Sequence, residues 1–161
     1  PVAVAGAAVA ASARMRGSWA VMVRCPVPVP LPWDGAFINN GPLRWVARDC
    51  SKPGRTVPLG TETWLLHASP EWSEAHIEDS ADTATATLLA AFATLGGPAA
   101  HLVQATAHRW RYADTEPALT QGHWWDATAC VGMCGDWLNG GKVEGAWLSG
   151  QSLAQQVLQA R

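Results

Sequence analysis

The 161-residue sequence lacks several patterns that announce a function at once. It has no Cys-x-x-Cys, no His-Glu-x-x-His and no clustered Cys/His set, so neither zinc binding nor thiol redox work is expected. His67, His76, His101 and His123 are scattered, and no metal site is expected. Basic residues are not in excess. Eleven Lys and Arg face 13 Asp and Glu, a net charge of −2, which leaves no electrostatic footprint for nucleic acid. No apolar run approaches the ~20 residues of a membrane-spanning helix. No basic segment precedes the apolar stretch that follows Pro1, so a secretory signal is not expected. With Cys25, Cys50, Cys130 and Cys134 far from any disulfide framework, a reduced, cytoplasmic setting is the expectation.

What is abundant is tryptophan, at ten residues. Trp builds cores, pocket walls and interfaces because it is large and carries one polar handle. Hydrophobic content of 48% against 15% charge places the chain among globular proteins with a sizeable core.

The order of elements predicts an α+β fold. The Ala-rich start predicts a helix running to Gly17, read as one cut through its middle. Ser18–Cys25 reads as a strand, and the prolines at 26, 28, 30 and 32 as an extended connector. Ala36–Asn39, Leu43–Asp49 and Thr61–Ala68 read as further strands. Ser69-Pro70-Glu71 is a helix start, and a longer helix is predicted over 80–95, stopped by Gly96-Gly97-Pro98. In the strand from His101 to Tyr112, alternation puts Leu102, Gln104, Thr106, His108, Trp110 and Tyr112 on one side. Val103, Ala105, Ala107, Arg109 and Arg111 share the other.

The last segment carries the densest motif. Ala129–Gly135 is short and apolar, as a strand buried on both faces would be, with Cys130 and Cys134 as small buried thiols. Gly135-Asp136 would then emerge at the strand's C-terminal edge, where a carboxylate can accept hydrogen bonds from two sugar-type hydroxyls. Gly140 and Gly141 permit positive φ and close backbone approach. The helix opening at Val143-Glu144-Gly145-Ala146 offers free N–H groups to a phosphate, or to a ring that becomes anionic on reduction. Val143, Ala146, Trp147, Gly150, Ala154, Val157 and Leu158 fall at helical spacing, and Gly150 is expected to let this helix lie close to a sheet.

The run from Gly135 to Gly150, GDWLNGGKVEGAWLSG, resembles the C-terminal FAD-contacting motif of flavin amine oxidase-like proteins, in particular the bacterial renalase-like branch. Trp45–Arg55, His67–Ser73 and His108–Ala113 resemble segments of that branch's substrate domain. Together the likeness spans about residues 18–160. It implies an FAD-dependent oxidoreductase moving a hydride from an amine-like donor, or from an isomeric dihydronicotinamide, to FAD, with oxygen as a plausible electron acceptor. It implies FAD contacts from Gly135, Asp136, Gly141, Val143, Glu144, Gly145 and Ala146. Asp136 would bond the ribityl or phosphate region, and the Gly145 and Ala146 amides would face the flavin's pyrimidine edge.

The family's Gly-x-Gly-x-x-Gly turn is absent from these residues. The chain therefore reads as the C-terminal part of such a flavoprotein, inactive alone, whose missing partner is the N-terminal dinucleotide-binding half. The expected architecture is a mainly antiparallel substrate-domain sheet of five to seven strands over residues 1–128, with helices on one side. Residues 129–161 would be the closing strand-turn-helix of a Rossmann-like FAD domain. An apolar face exposed on that last helix predicts dimerisation.

Hydride transfer needs no protein nucleophile, because the cofactor carries the difficult chemistry. Substrate-binding candidates are therefore aromatic walls and polar handles: Trp45, Arg48, His108, Trp110 and Tyr112. For Trp110 and Tyr112 the alternative is packing under a helix, and for Arg48 and Lys52 it is surface charge. Two rivals from other classes stand beside the enzyme. One is a non-catalytic ligand- or protein-binding domain with an amine-oxidase-like fold; the other is an unrelated nucleotide-binding module built on the Asp136 turn.

Overall fold

A computed structural model describes residues 4–98, 102 and 104–160. His101, Val103 and the first three residues, on which some of the expectations above fall, lie outside the described residues. The chain divides into two compact units, residues 17–111 and residues 1–16 with 112–161. The fold is mixed α+β with an antiparallel sheet. No helix among the described residues is long and apolar enough to cross a membrane.

The sheet runs β2-β3-β4-β1-β5, from β1 (Met15–Cys25), β2 (Gly35–Phe37), β3 (Leu43–Arg48), β4 (Glu62–Ala68) and β5 (Gln104–Thr115). β2 with β3, β3 with β4, and β4 with β1 pair antiparallel. In β4, Glu62, Trp64, Leu66 and Ala68 are buried while Thr63, Leu65 and His67 are not, the period-2 pattern of a strand with one covered face.

Helix α3 (Ala81–Thr94) covers that face with Ala84, Leu88 and Phe92, one turn apart and fully buried. Ser80 caps it through the Thr83 amide, and Ser69 caps the short α2 (Pro70–Ala75) through the Trp72 amide. Against α3 lie Trp19, Val21, Val23 and Cys25 of β1, Val46 of β3, and Trp64 and Leu66 of β4. Trp64 packs on Phe92 at 5.3 Å and meets Trp33 edge-on at 5.5 Å. Each such buried side chain contributes about 1.5–3 kcal/mol. The proline connector has no regular structure. It lies along the core edge, with Val29 buried and its amide bonded to Glu62 Oε2 at 3.1 Å.

The other unit holds α1 (Val4–Ser12), β6 (Trp124–Asp126), β7 (Val131–Met133) and α4 (Val143–Gln159). Helix α1 ends five residues before Gly17, which lies inside β1. Residues 129–135 do not form the doubly buried strand that their apolar composition suggests. β7 is three residues long and pairs antiparallel with β6 alone, Val131 is 38% exposed, and both Cys130 and Cys134 are exposed. Helix α4 leaves an apolar face exposed, as expected of this closing helix, but it does not approach a sheet through the stripe that carries Gly150. Its buried residues are Gly145 and Ser149, whereas Val143, Trp147 and Leu158 face outward at 90%, 65% and 68% exposure. Gly145 is the close-approach glycine: a Cβ there would overlap the Asn139 carbonyl oxygen, while one at Gly150 would meet nothing within 4 Å. Small residues, not large apolar ones, decide which side of this helix is covered.

Candidate functional site

The uncovered face of the sheet carries most of the residues singled out as substrate contacts. Its first row follows from strand register: Phe37 opposite Trp45, Trp45 opposite His67, His67 opposite Ala20. The Phe37 and Trp45 rings meet at 4.6 Å, tilted by 51°. The next row is Gly35, Ala47, Leu65 and Met22. On β5, Gln104, Thr106, His108, Trp110 and Tyr112 are all exposed, on the side opposite the partly buried Ala105, Ala107 and Arg109. Trp110 and Tyr112 are 54% and 77% exposed, so they do not pack under a helix. His108 and Trp110 meet edge-on at 4.4 Å. Leu102, expected on this face, packs instead against the core beneath α3.

Among the described residues of this face, His67 has a clear shift in acidity. Burial in the strand row, and secondarily the positive charge of Lys52, lower its pKa below the ordinary 6.5. The imidazole is therefore neutral at physiological pH.

Arg48 is not on this face. It pairs with Trp64 across β3 and β4, and its guanidinium lies 4.9 Å from the Trp64 ring on the covered side. Nη1 donates to Glu62 Oε1 at 2.7 Å and Nη2 to the Leu31 carbonyl at 2.7 Å. Nε sits 3.2 Å from Asp34 Oδ1, an ion-pair distance without hydrogen-bond alignment. A guanidinium held on three sides ties the proline connector to the sheet. Lys52 is engaged by Asp49 at 2.8 Å. Arg109 bonds the Ile77 carbonyl and lies over Trp19, and Arg111 holds Glu78 with two hydrogen bonds.

The second candidate region is the turn from Gly135 to Ala146. Asp136 opens a single 3-10 turn, and its backbone carbonyl accepts from the Asn139 and Gly141 amides, each at 2.8 Å. Its half-buried carboxylate has no partner among the described residues. Gly140 and Gly141 take φ of +84° and +71°, a left-handed pair that only glycine adopts readily. Lys142, the N-cap of α4, provides no side-chain cap to the Val143, Glu144 and Gly145 N–H groups, while the Ala146 amide donates to the Lys142 carbonyl at 2.9 Å. Glu144 lies in that same turn and is exposed.

Ser149, a residue that the spacing of apolar positions does not single out, helps to build this turn. Its buried hydroxyl accepts from the Gly135 amide at 2.9 Å and donates to the Gly122 carbonyl, which holds the start of the Asp136 turn against α4. A serine one turn after Gly145, on the side of α4 marked by small residues, was the available signal.

No family model matches the chain.

Proposed function

We propose that the chain belongs to an FAD-dependent oxidoreductase of the renalase-like amine oxidase kind, providing the C-terminal flavin contacts and the substrate-side sheet. The observation that carries this reading is the ordered turn 135–146. It combines a carboxylate without a partner among the described residues, two left-handed glycines and an uncapped helix start, in the order of the resembled motif. These groups fit the ribityl chain and ring edge of a flavin. A pyrophosphate would need a Gly-x-Gly-x-x-Gly turn, which these 161 residues do not contain. That turn would come from a dinucleotide-binding partner segment in a Rossmann-like domain.

Bound FAD would supply the hydride acceptor. Asp136 would hold ribityl hydroxyls through its carboxylate. The Gly145 amide would meet the flavin edge that gains negative charge, assisted by the positive end of α4, whereas the Ala146 amide is already given to the Lys142 carbonyl at 2.9 Å. Trp45, His108, Trp110 and Tyr112 would bound the donor with flat aromatic surface. The donor, an amine or an isomeric dihydronicotinamide, would lose two electrons and one hydrogen as hydride, leaving an iminium or an aromatic nicotinamide. Oxygen, as acceptor, would take the two electrons together with two protons and leave as hydrogen peroxide.

The test is a visible spectrum of the protein expressed from its complete reading frame, before and after anaerobic addition of each donor. A flavin band that bleaches with 2- or 6-dihydronicotinamide isomers supports the sharper reading, and bleaching with simple primary amines alone supports the broader one. A colourless protein that takes up no added FAD overturns both.

A further inference from the structure

Beside the aromatic row, the same sheet face holds a hollow of about 610 Å³, within the range of small-molecule pockets. Met22 and Leu65 form an apolar floor, with Val57 on the loop after β3. Polar groups converge from four segments: Arg24 on β1, Thr63 on β4, Gln104 and Thr106 on β5, and Asp49, Arg55 and Thr56 from that loop.

The charges are unevenly matched. Asp49 is already held by Lys52 at 2.8 Å and lies 3.5 Å from Arg55. Arg24 is half-buried and has no partner among the described residues. Burying part of a guanidinium without a counter-charge is unfavourable, and a planar fork of donors is suited to a carboxylate or phosphate. Gln104 Nε2 donates to Thr106 Oγ1 at 3.3 Å, which leaves the Thr106 hydroxyl proton free to donate outward. The Thr63 hydroxyl, directly across the ladder from Arg24, is likewise without a partner among the described residues.

We infer that this hollow is a binding site for a small organic anion, its carboxylate or phosphate head on Arg24, Thr63 and Thr106 and its apolar body on Met22 and Leu65. The inference rests on the residues of the hollow and does not depend on the flavin reading.

The experiment is an amide-resolved NMR titration of the whole 161-residue chain with phenyl phosphate, benzoate and uncharged benzamide. Saturable shifts at Met22, Arg24, Thr63 and Thr106 are expected with phenyl phosphate or benzoate. The tighter of the two identifies the head group. Arg24→Gln should weaken binding about tenfold or more, as loss of a charged hydrogen-bond donor does. Arg44→Gln, at an exposed β3 residue outside the hollow, should leave it unchanged. Thr106→Val gives a second reading should Arg24→Gln lose its dispersed spectrum, with about a threefold loss expected for one neutral hydrogen bond. Benzamide binding as tightly as the anions, or shifts centred elsewhere, would overturn the proposal. So would a folded Arg24→Gln protein, or a Thr106→Val protein, that binds like the wild type.

Discussion

Arg48 and Glu62 meet at 2.7 Å on the covered side of the sheet, while Trp45, three residues before Arg48, looks out from the other side. An odd separation along one strand puts the two side chains on opposite faces. The buried Glu62 carboxylate also accepts from Trp64 Nε1 at 3.0 Å and from the Val29 amide at 3.1 Å. One side chain thereby joins β3, β4 and the proline connector.

Glu62→Ala should therefore destabilise the protein by about 3 kcal/mol. Breaking a buried charge pair from one side costs roughly 3–5 kcal/mol, and Asp34 remains near Arg48 to soften the loss. Urea denaturation of the two proteins measures the difference. A loss under about 1 kcal/mol would mean that the network carries little of the connector's order.

The open-face aromatics should behave in the opposite way. Trp110 is more than half exposed, so Trp110→Ala should change stability by less than about 1 kcal/mol. If it bounds the donor, the same substitution should raise KM about tenfold, the effect of losing an aromatic wall worth roughly 1.4 kcal/mol. Steady-state kinetics on the flavin-loaded, full-length protein, paired with a thermal melt, separates the two effects. An unchanged KM removes Trp110 from the site.

Much of this was legible in the residues. Thr61–Ala68 reads as a strand, and β4 runs from Glu62 to Ala68. The serines at 69 and 80 announce helix starts and cap them. The opposite placement of Trp45 and Arg48 was also readable from the strand period, although nearness in sequence suggested a common pocket. Residues 129–135 could not be read in the same way. An apolar heptad is compatible with a central strand or with a half-exposed hairpin, and the choice depends on how many strands flank it. The orientation of α4 was hidden for a related reason. Its covered side is marked by Gly145 and Ser149, whose smallness permits close contact, so a search for large apolar residues points to the wrong side.

The four thiols should separate into distinct reactivities. Cys25 is buried, and burial, with the neighbouring Glu62 charge and Cys50 adding to it, pushes its pKa up to about 11. Cys130 and Cys134 are exposed and Cys50 lies between these extremes. Titration with an aromatic disulfide reagent at pH 8 should release Cys130 and Cys134 first and Cys50 more slowly. Cys25 should react only when denaturant is added, because thiolate is the reacting form and little exists without unfolding. Mass mapping of the modified peptides checks the order, and early labelling of Cys25 would contradict the packing of β1 against α3.

His67 should make stability pH-dependent in a defined direction. Burial first, and Lys52 second, hold its folded pKa below the ordinary 6.5, so between those two values the unfolded chain binds more protons than the folded one. Its contribution is fully present above about pH 6.5 and is lost as pH falls through the folded pKa. Replacing His67 by Gln removes the titration while keeping a polar side chain of similar length. Comparing urea midpoints of the two proteins from pH 5 to pH 8 isolates this residue from the other histidines. The wild type should gain on His67→Gln as pH rises toward 6.5, and the gap should then stay constant. A gap that is flat throughout would show that the imidazole charges as readily in the folded sheet as in water, and one that widens toward acid that it charges more readily there. Either result would remove the neutral His67 from the centre of the Phe37–Trp45–His67–Ala20 row.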